Sequence, residues 1–204
     1  MRTITEIRRT NGSKSAREKL LSVASDLFYN KGIRAVGVEE IVATAGVAKI
    51  SLYRSFRSKD DLIVAYLESN NEAYWKEIDA ICSPHEGDPR AKLHALLNYV
   101  AQRTTKPGYR GCPYISYCGE FPDHSHPGHS VAEANKREWR GRLLRIAEEI
   151  GACEPKQLAD GLMLLIEGAY ALSQTLTGKG APGRVIVWAA EALVENQTAG
   201  RRRP

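Results

Sequence analysis

No stretch of these 204 residues approaches the ~20 consecutive apolar positions that a membrane span requires. The first twenty residues, MRTITEIRRTNGSKSAREKL, carry no apolar core of the kind found in a secretory signal peptide. The expectation is a cytoplasmic chain with no membrane partner. Cysteine is scarce, and the four thiols at Cys82, Cys112, Cys118 and Cys153 form neither a CxxC pair nor a zinc-finger spacing. In a reducing compartment they are expected to be free thiols. Nucleophile elbow, phosphate loop and metalloprotease motif are all missing. A Cys–His hydrolase built from Cys118 and His124 has no motif behind it, so the chain is expected not to be an enzyme and to need no cofactor. There is no sustained alternation of apolar and polar residues, no internal repeat and no low-complexity tract. The expected class is all-α, with about nine helices.

What is present is unevenly distributed. The chain carries a net charge of +5, and residues 1–60 hold 12 Lys or Arg against 6 Asp or Glu, a net +6, which leaves −1 for the remainder. Within that basic segment lies GVEEIVATAGVAKISLYRSFRSKDD, Gly37 to Asp61. Val38, Ile41, Val42 and Ala45 recur at helical spacing and give one apolar face. Gly46 follows at once, and glycine takes the left-handed backbone that stops a helix without a Cβ clash. Leu52 and Phe56, four apart, supply a second helix with a buried stripe. Between these anchors Lys49, Ser51, Tyr53, Arg54 and Arg57 face outward, with no carboxylate until Asp60. A helix fits the DNA major groove, and a cationic, hydrogen-bonding face suits phosphates and base edges. The pattern predicts a helix-turn-helix with the second helix as reader, and double-stranded DNA as the partner.

AGVAKISLYRSFRSKDDL resembles the AGVSKGTLYxxFxSKExL signature of TetR/AcrR-type transcriptional repressors. Ala45, Gly46, Val47, Lys49, Ser51, Leu52, Tyr53, Phe56, Ser58, Lys59 and Leu62 all fall where that pattern places them or a close equivalent. Three positions depart from it. Ile50 stands where a small residue is usual, Gly37 replaces the usual Ser or Thr cap, and Val42 takes a close-packing position where Ala is typical. The resemblance implies a three-helix DNA-binding domain followed by a helical domain that binds an effector and dimerises. It also implies DNA contacts at Gly37, Val38, Lys49, Ile50, Ser51, Tyr53, Arg54 and Lys59, the last against the backbone. The function so implied is repression, relieved when a small-molecule effector releases the protein from a pseudo-palindromic operator.

The domain map runs as follows: a mobile basic arm at 1–14, the helix-turn-helix domain at 15–60, the effector and dimerisation domain at 61–198, and a disordered tail at 199–204. Helix one is expected from Ser15 to Lys31, ended by Gly32. Ser58 is a plausible cap for helix four, with Asp60 and Asp61 in its first turn complementing the helix dipole. Helix four continues to about Cys82, long enough to act as a lever between the domains. Helix five starts at Pro89, a short apolar helix covers 112–121, helix seven runs from about Val131 to Ala152, and Pro155 starts helix eight. On helix eight Gly161, Gly168, Ala169 and Ala171 keep the surface low. Helix nine, about Arg184 to Asn196, carries Val185, Ile186, Trp188, Ala189, Ala192 and Leu193. Helices eight and nine cover more apolar surface than one subunit needs, and the resemblance implies that they form a homodimer as a four-helix interface.

Candidate effector-lining residues are Trp75, Tyr99, Tyr114, Tyr117, Phe121, Trp139, Met163 and Tyr170, an aromatic set suited to an apolar or aromatic molecule. Glu167, on an otherwise apolar helix, requires a partner: a protein cation, a hydroxyl or the ligand. GCPYISYCGEFPDHSHPGH also resembles the GCxxxxxxxEFPDxxHP segment of one branch of the family. It brings Cys112, Cys118, Asp123, His124, His126 and His129 close in sequence, and imidazole with thiolate suits zinc or copper. A metal- or redox-responsive regulator is therefore the alternative reading.

Overall fold

The computed structural model describes residues 15–176 and 182–199. The expected arm at 1–14 and all of the expected tail but Ala199 lie outside the described residues. Every regular element described is helical, and the chain divides into two compact units between Tyr66 and Leu67.

The first unit begins with α1, Ala16–Lys31. Ser15 caps it: its hydroxyl accepts from the Glu18 N–H at 3.2 Å, while the Glu18 carboxylate accepts from the Ser15 N–H at 2.7 Å. That reciprocal pair satisfies two of the donors every helix start leaves open. α2 is Val38–Ala45 and α3 is Lys49–Ser55. Gly46 joins them in the left-handed conformation, φ 64°, with its N–H turned back to Ala43. A Cβ is disfavoured in that conformation, so the corner between the two helices depends on this glycine. Leu20, Ala24 and Phe28 of α1 are buried, as are Ile41, Leu52 and Phe56. These anchors fix the angle at which α3 is held.

α4, Lys59–Cys82, contributes residues to both units. Its start is capped as the sequence suggests: the Ser58 hydroxyl accepts from the Asp61 N–H at 3.0 Å, and the Asp61 carboxylate accepts from the Arg57 N–H at 3.1 Å.

The second unit continues with α5 (Pro89–Thr104), α6 (Pro113–Glu120), α7 (Gly128–Ile150), α8 (Pro155–Leu172) and α9 (Ile186–Thr198), with 3-10 turns at Ser83–His85 and Pro182–Val185. α7 starts three residues before the expected Val131, because Gly128 packs against the Tyr117 ring, leaving no space for a side chain there. Helix nine is shorter at its start than expected, since residues 182–185 wind as 3-10 before α9 begins. Trp139, Leu143, Leu162, Ile166 and Ala190 lie at the centre of this unit. Gly161 is used inside the subunit: a Cβ there would sit 3.3 Å from Leu193 of α9. At Gly168 an added Cβ would meet open space.

Candidate nucleic-acid interface and second-unit cavity

α3 is too short to be stable alone, and its position is set by what it buries. Leu52 and Phe56 point into the first unit's core. At 100° per residue that places Ile50, Tyr53 and Arg54 on the opposite side. All three are exposed, as is Lys49, while Ser51 is half-buried. The structure thus brings Lys49, Ile50, Ser51, Tyr53 and Arg54 together on one short helix, as their spacing predicts. Gly37 caps α2 with extended backbone and no side-chain hydrogen bond, and Val38 is half-buried in the first turn.

Two details were not readable from spacing. The Lys49 ammonium pairs with Glu39 of α2, so an acceptor stands beside the reading face. The hydrogen bond that the ammonium donates to Glu39 raises the Lys49 pKa above its ordinary value, and the group is a full cation at neutral pH. Lys59, expected against a DNA backbone, is half-buried, donates to the Ile33 carbonyl at 2.7 Å and lies 5.9 Å from the Phe28 ring centre. It therefore ties the start of α4 to the segment between α1 and α2. Lys59→Met keeps the apolar stem and removes the donor. It should lower unfolding stability by about 1–2 kcal/mol in urea titration, and an unchanged midpoint would show the tie to be without weight.

The second unit has open grooves of about 340 Å³ along α5 and α9 and about 350 Å³ along α4, α5 and α7, and a small cavity of about 30 Å³ lined by the aromatic residues. Of the expected lining residues, Tyr114, Trp139 and Tyr170 are on its wall. Asn70, Tyr74, Arg103, Tyr109, Cys112, Pro113, Asn135 and Lys136 complete it, and these were missed. The signal for them was tertiary: Tyr74 and Tyr170, 96 positions apart, share a hydroxyl–hydroxyl hydrogen bond of 2.8 Å. Burial pushes both phenols well above their usual range, so they remain neutral. Arg103 stacks near the rings of Tyr74, Tyr99 and Tyr109 at 5.5, 5.7 and 5.6 Å. Glu167 finds its cation in Lys136 at 2.7 Å.

The other expected lining residues lie off this wall. Trp75 and Tyr99 pack behind Tyr74, with ring centres 5.2 and 6.2 Å away. Tyr117 and Phe121 stack on each other at 5.1 Å next to His126. Met163 is half-buried elsewhere on α8.

The segment behind the metal-responsive alternative is built mostly from contacts between its own side chains and backbone. Among the described residues no three His, Cys, Asp or Glu side chains converge to hold an ion. The His129 Nε2–H donates to the Phe121 carbonyl at 2.6 Å, and His126 Nδ1 is 2.6 Å from the Tyr117 hydroxyl. Cys118 Sγ lies 4.0 Å from His129 Nδ1. One nitrogen each of His126 and His129 is used on the turn that starts α7, while the buried His126 Nε2 has no hydrogen-bond partner among the described residues. The Cys118 thiol is exposed, yet partial desolvation raises its pKa above the ordinary value. Cys112 is buried, with the Lys136 ammonium 3.5 Å away, a neighbour that sequence proximity did not reveal.

Comparison with known proteins agrees with this geometry. Residues 20–66 match the family described as bacterial regulatory proteins, tetR family. The NemR repressor of Escherichia coli is 31% identical over 125 residues, 59% of this chain and 61% of NemR, so the chain spans under two thirds of that relative. A TetR-type regulator of Streptomyces avermitilis has a similar structure, with TM-score 0.79 and 31% identity over 90% of this chain and 98% of that one. A TetR-family regulator of Streptomyces coelicolor superposes with TM-score 0.79 and 27% identity over 90% and 96%. None of these relatives is described as an enzyme.

Proposed function

Because the chain belongs to the TetR family of bacterial regulatory proteins, we propose that it is a homodimeric repressor that leaves its operator when a small molecule enters the second unit. The observation that carries the DNA reading is the exposed face of α3, where Lys49, Tyr53 and Arg54 stand free of the core that Leu52 and Phe56 anchor. Lys49 and Arg54 supply phosphate or base-edge partners and Tyr53 a hydroxyl, and all three are carried by one short rigid element.

Two copies are needed to read two half-sites one helical turn apart. The support for a dimer through α8 and α9 is an apolar surface the single chain leaves uncovered: Leu164 is 74% exposed and Trp188 71%, with Leu172, Leu176, Val185 and Leu193 also exposed. A soluble single chain rarely shows so many large apolar side chains on neighbouring helices.

The effector reading rests on the cavity wall. A space of about 30 Å³ is below the volume of any organic ligand. Entry therefore requires the wall to part, and Asn70 and Tyr74 of that wall belong to α4. A ligand that binds the opened wall better than the closed one shifts α4, whose other end starts beside the reading helix in sequence. Among the described residues no helix is long and apolar enough to cross a membrane.

Gel-shift titration tests the DNA reading. Tyr53→Ala should weaken binding about tenfold on operator and random duplex alike, while Lys49→Ala should weaken it and relax base preference. Wild-type affinity in both variants would overturn the assignment.

A further inference from the structure

Among the described residues of the first unit, only two large hydrophobic side chains are exposed, Ile50 at 60% and Tyr53 at 48%. They are three positions apart on α3 and so share a face. Tyr53 ends in a hydroxyl that can meet a phosphate. Ile50 has no polar atom at all, and its Cβ branch holds it stiffly at one rotamer. It stands between Tyr53 and Arg54 around the helix, opposite the buried Leu52. The Lys49–Glu39 ion pair borders the same face. On α3 every exposed side chain other than Ile50 carries a polar or charged group.

We propose that Ile50 is a specificity-determining residue that reads the C5-methyl of a thymine in each operator half-site. The inference rests on the DNA-binding reading above. In the major groove each base pair shows donors and acceptors, and thymine alone adds an apolar group. An isoleucine cannot replace the water it would strip from a purine edge or from the cytosine amino group, so contact with those edges costs hydrogen bonds. Against the thymine methyl it removes apolar surface from water on both partners. Polar neighbours fix the register, and Ile50 selects within it.

The test uses the full chain. A preferred duplex is selected from a random library, and each thymine of its half-site is replaced by uracil, which deletes only the methyl. At one thymine position per half-site, uracil should weaken wild-type binding roughly three- to tenfold, the scale of one buried methyl. Ile50→Ala should bind the thymine duplex more weakly by a similar factor and be indifferent to uracil at that position. Ile50 contributes nothing to the core, so the variant should melt with the wild type, and circular dichroism checks this. Methyl sensitivity that survives in Ile50→Ala, or no methyl-sensitive position in the wild type, overturns the inference and leaves the DNA-binding reading intact. A wild-type chain that selects no sequence and binds no duplex overturns both.

Discussion

If the proposed dimer forms through α8 and α9, Trp188→Glu is expected to leave a monomer in sedimentation experiments at micromolar concentration, and to lower operator affinity by at least about a hundredfold. The tryptophan lies on α9 with most of its ring uncovered, and Leu164 of α8 is equally bare. A buried aromatic anchor at the centre of an interface commonly carries several kcal/mol. A carboxylate in its place would have to be desolvated without a partner, which costs several kcal/mol more on each side of a two-fold contact. The loss on DNA follows, because two linked half-sites become two independent weak events. The monomer should keep its helical content, since Trp188 is mostly exposed on the single chain. A variant that still sediments as a dimer and binds operator normally would place the interface elsewhere.

Trp139→Ala is expected to destabilise the protein by about 3–5 kcal/mol, the usual cost of emptying a buried aromatic site. Trp139 is 1% exposed, lies 5.5 Å from Trp75 and 5.9 Å from Tyr74 between ring centres, and forms part of the cavity wall. Its loss would join the removed volume to the existing space of about 30 Å³. The enlarged hole, shaped by the lost indole ring, should accept indole, so millimolar indole should raise the melting temperature of the variant and leave the wild type unmoved. Urea unfolding measures the first effect and thermal shift the second. A loss below about 1 kcal/mol would mean that the side chain is not the packing centre its burial implies.

Much of the first unit was legible because its information is local. A capping box needs residues three apart, a left-handed corner needs one glycine, and a buried stripe needs a period of 3.6. Gly46, Leu52 and Phe56 meet those conditions within short windows, and each is found doing that work; the Ser15 capping box is as local, though only the start of the helix was expected there. The reading face is whatever these anchors leave over, so Lys49, Tyr53 and Arg54 followed from the same arithmetic. Lys59 did not, because its partner at Ile33 lies 26 positions away on a backbone carbonyl that carries no sequence signal.

The second unit was legible in its helices and much less so in its cavity. Aromatic residues are used alike as core and as wall, and composition cannot separate the two. Tyr117 and Phe121 were as promising as Tyr114, yet they stack under the start of α7 while Tyr114 donates to the Leu67 carbonyl at 3.1 Å and lines the cavity. In the same loop His126 Nδ1 meets the Tyr117 hydroxyl and His129 Nε2 donates to the Phe121 carbonyl, partners that the HxHxxH spacing does not announce.

By itself the sequence determined the helices, the corner at Gly46 and which side of α3 faces outward, because all three depend on neighbours within a turn or two of backbone. Only the tertiary structure decided that Glu39 holds Lys49, that Lys136 answers Glu167 and approaches Cys112, and that Tyr74 meets Tyr170. Those pairings join residues far apart in the chain, and nothing but the packing of whole helices brings them within reach.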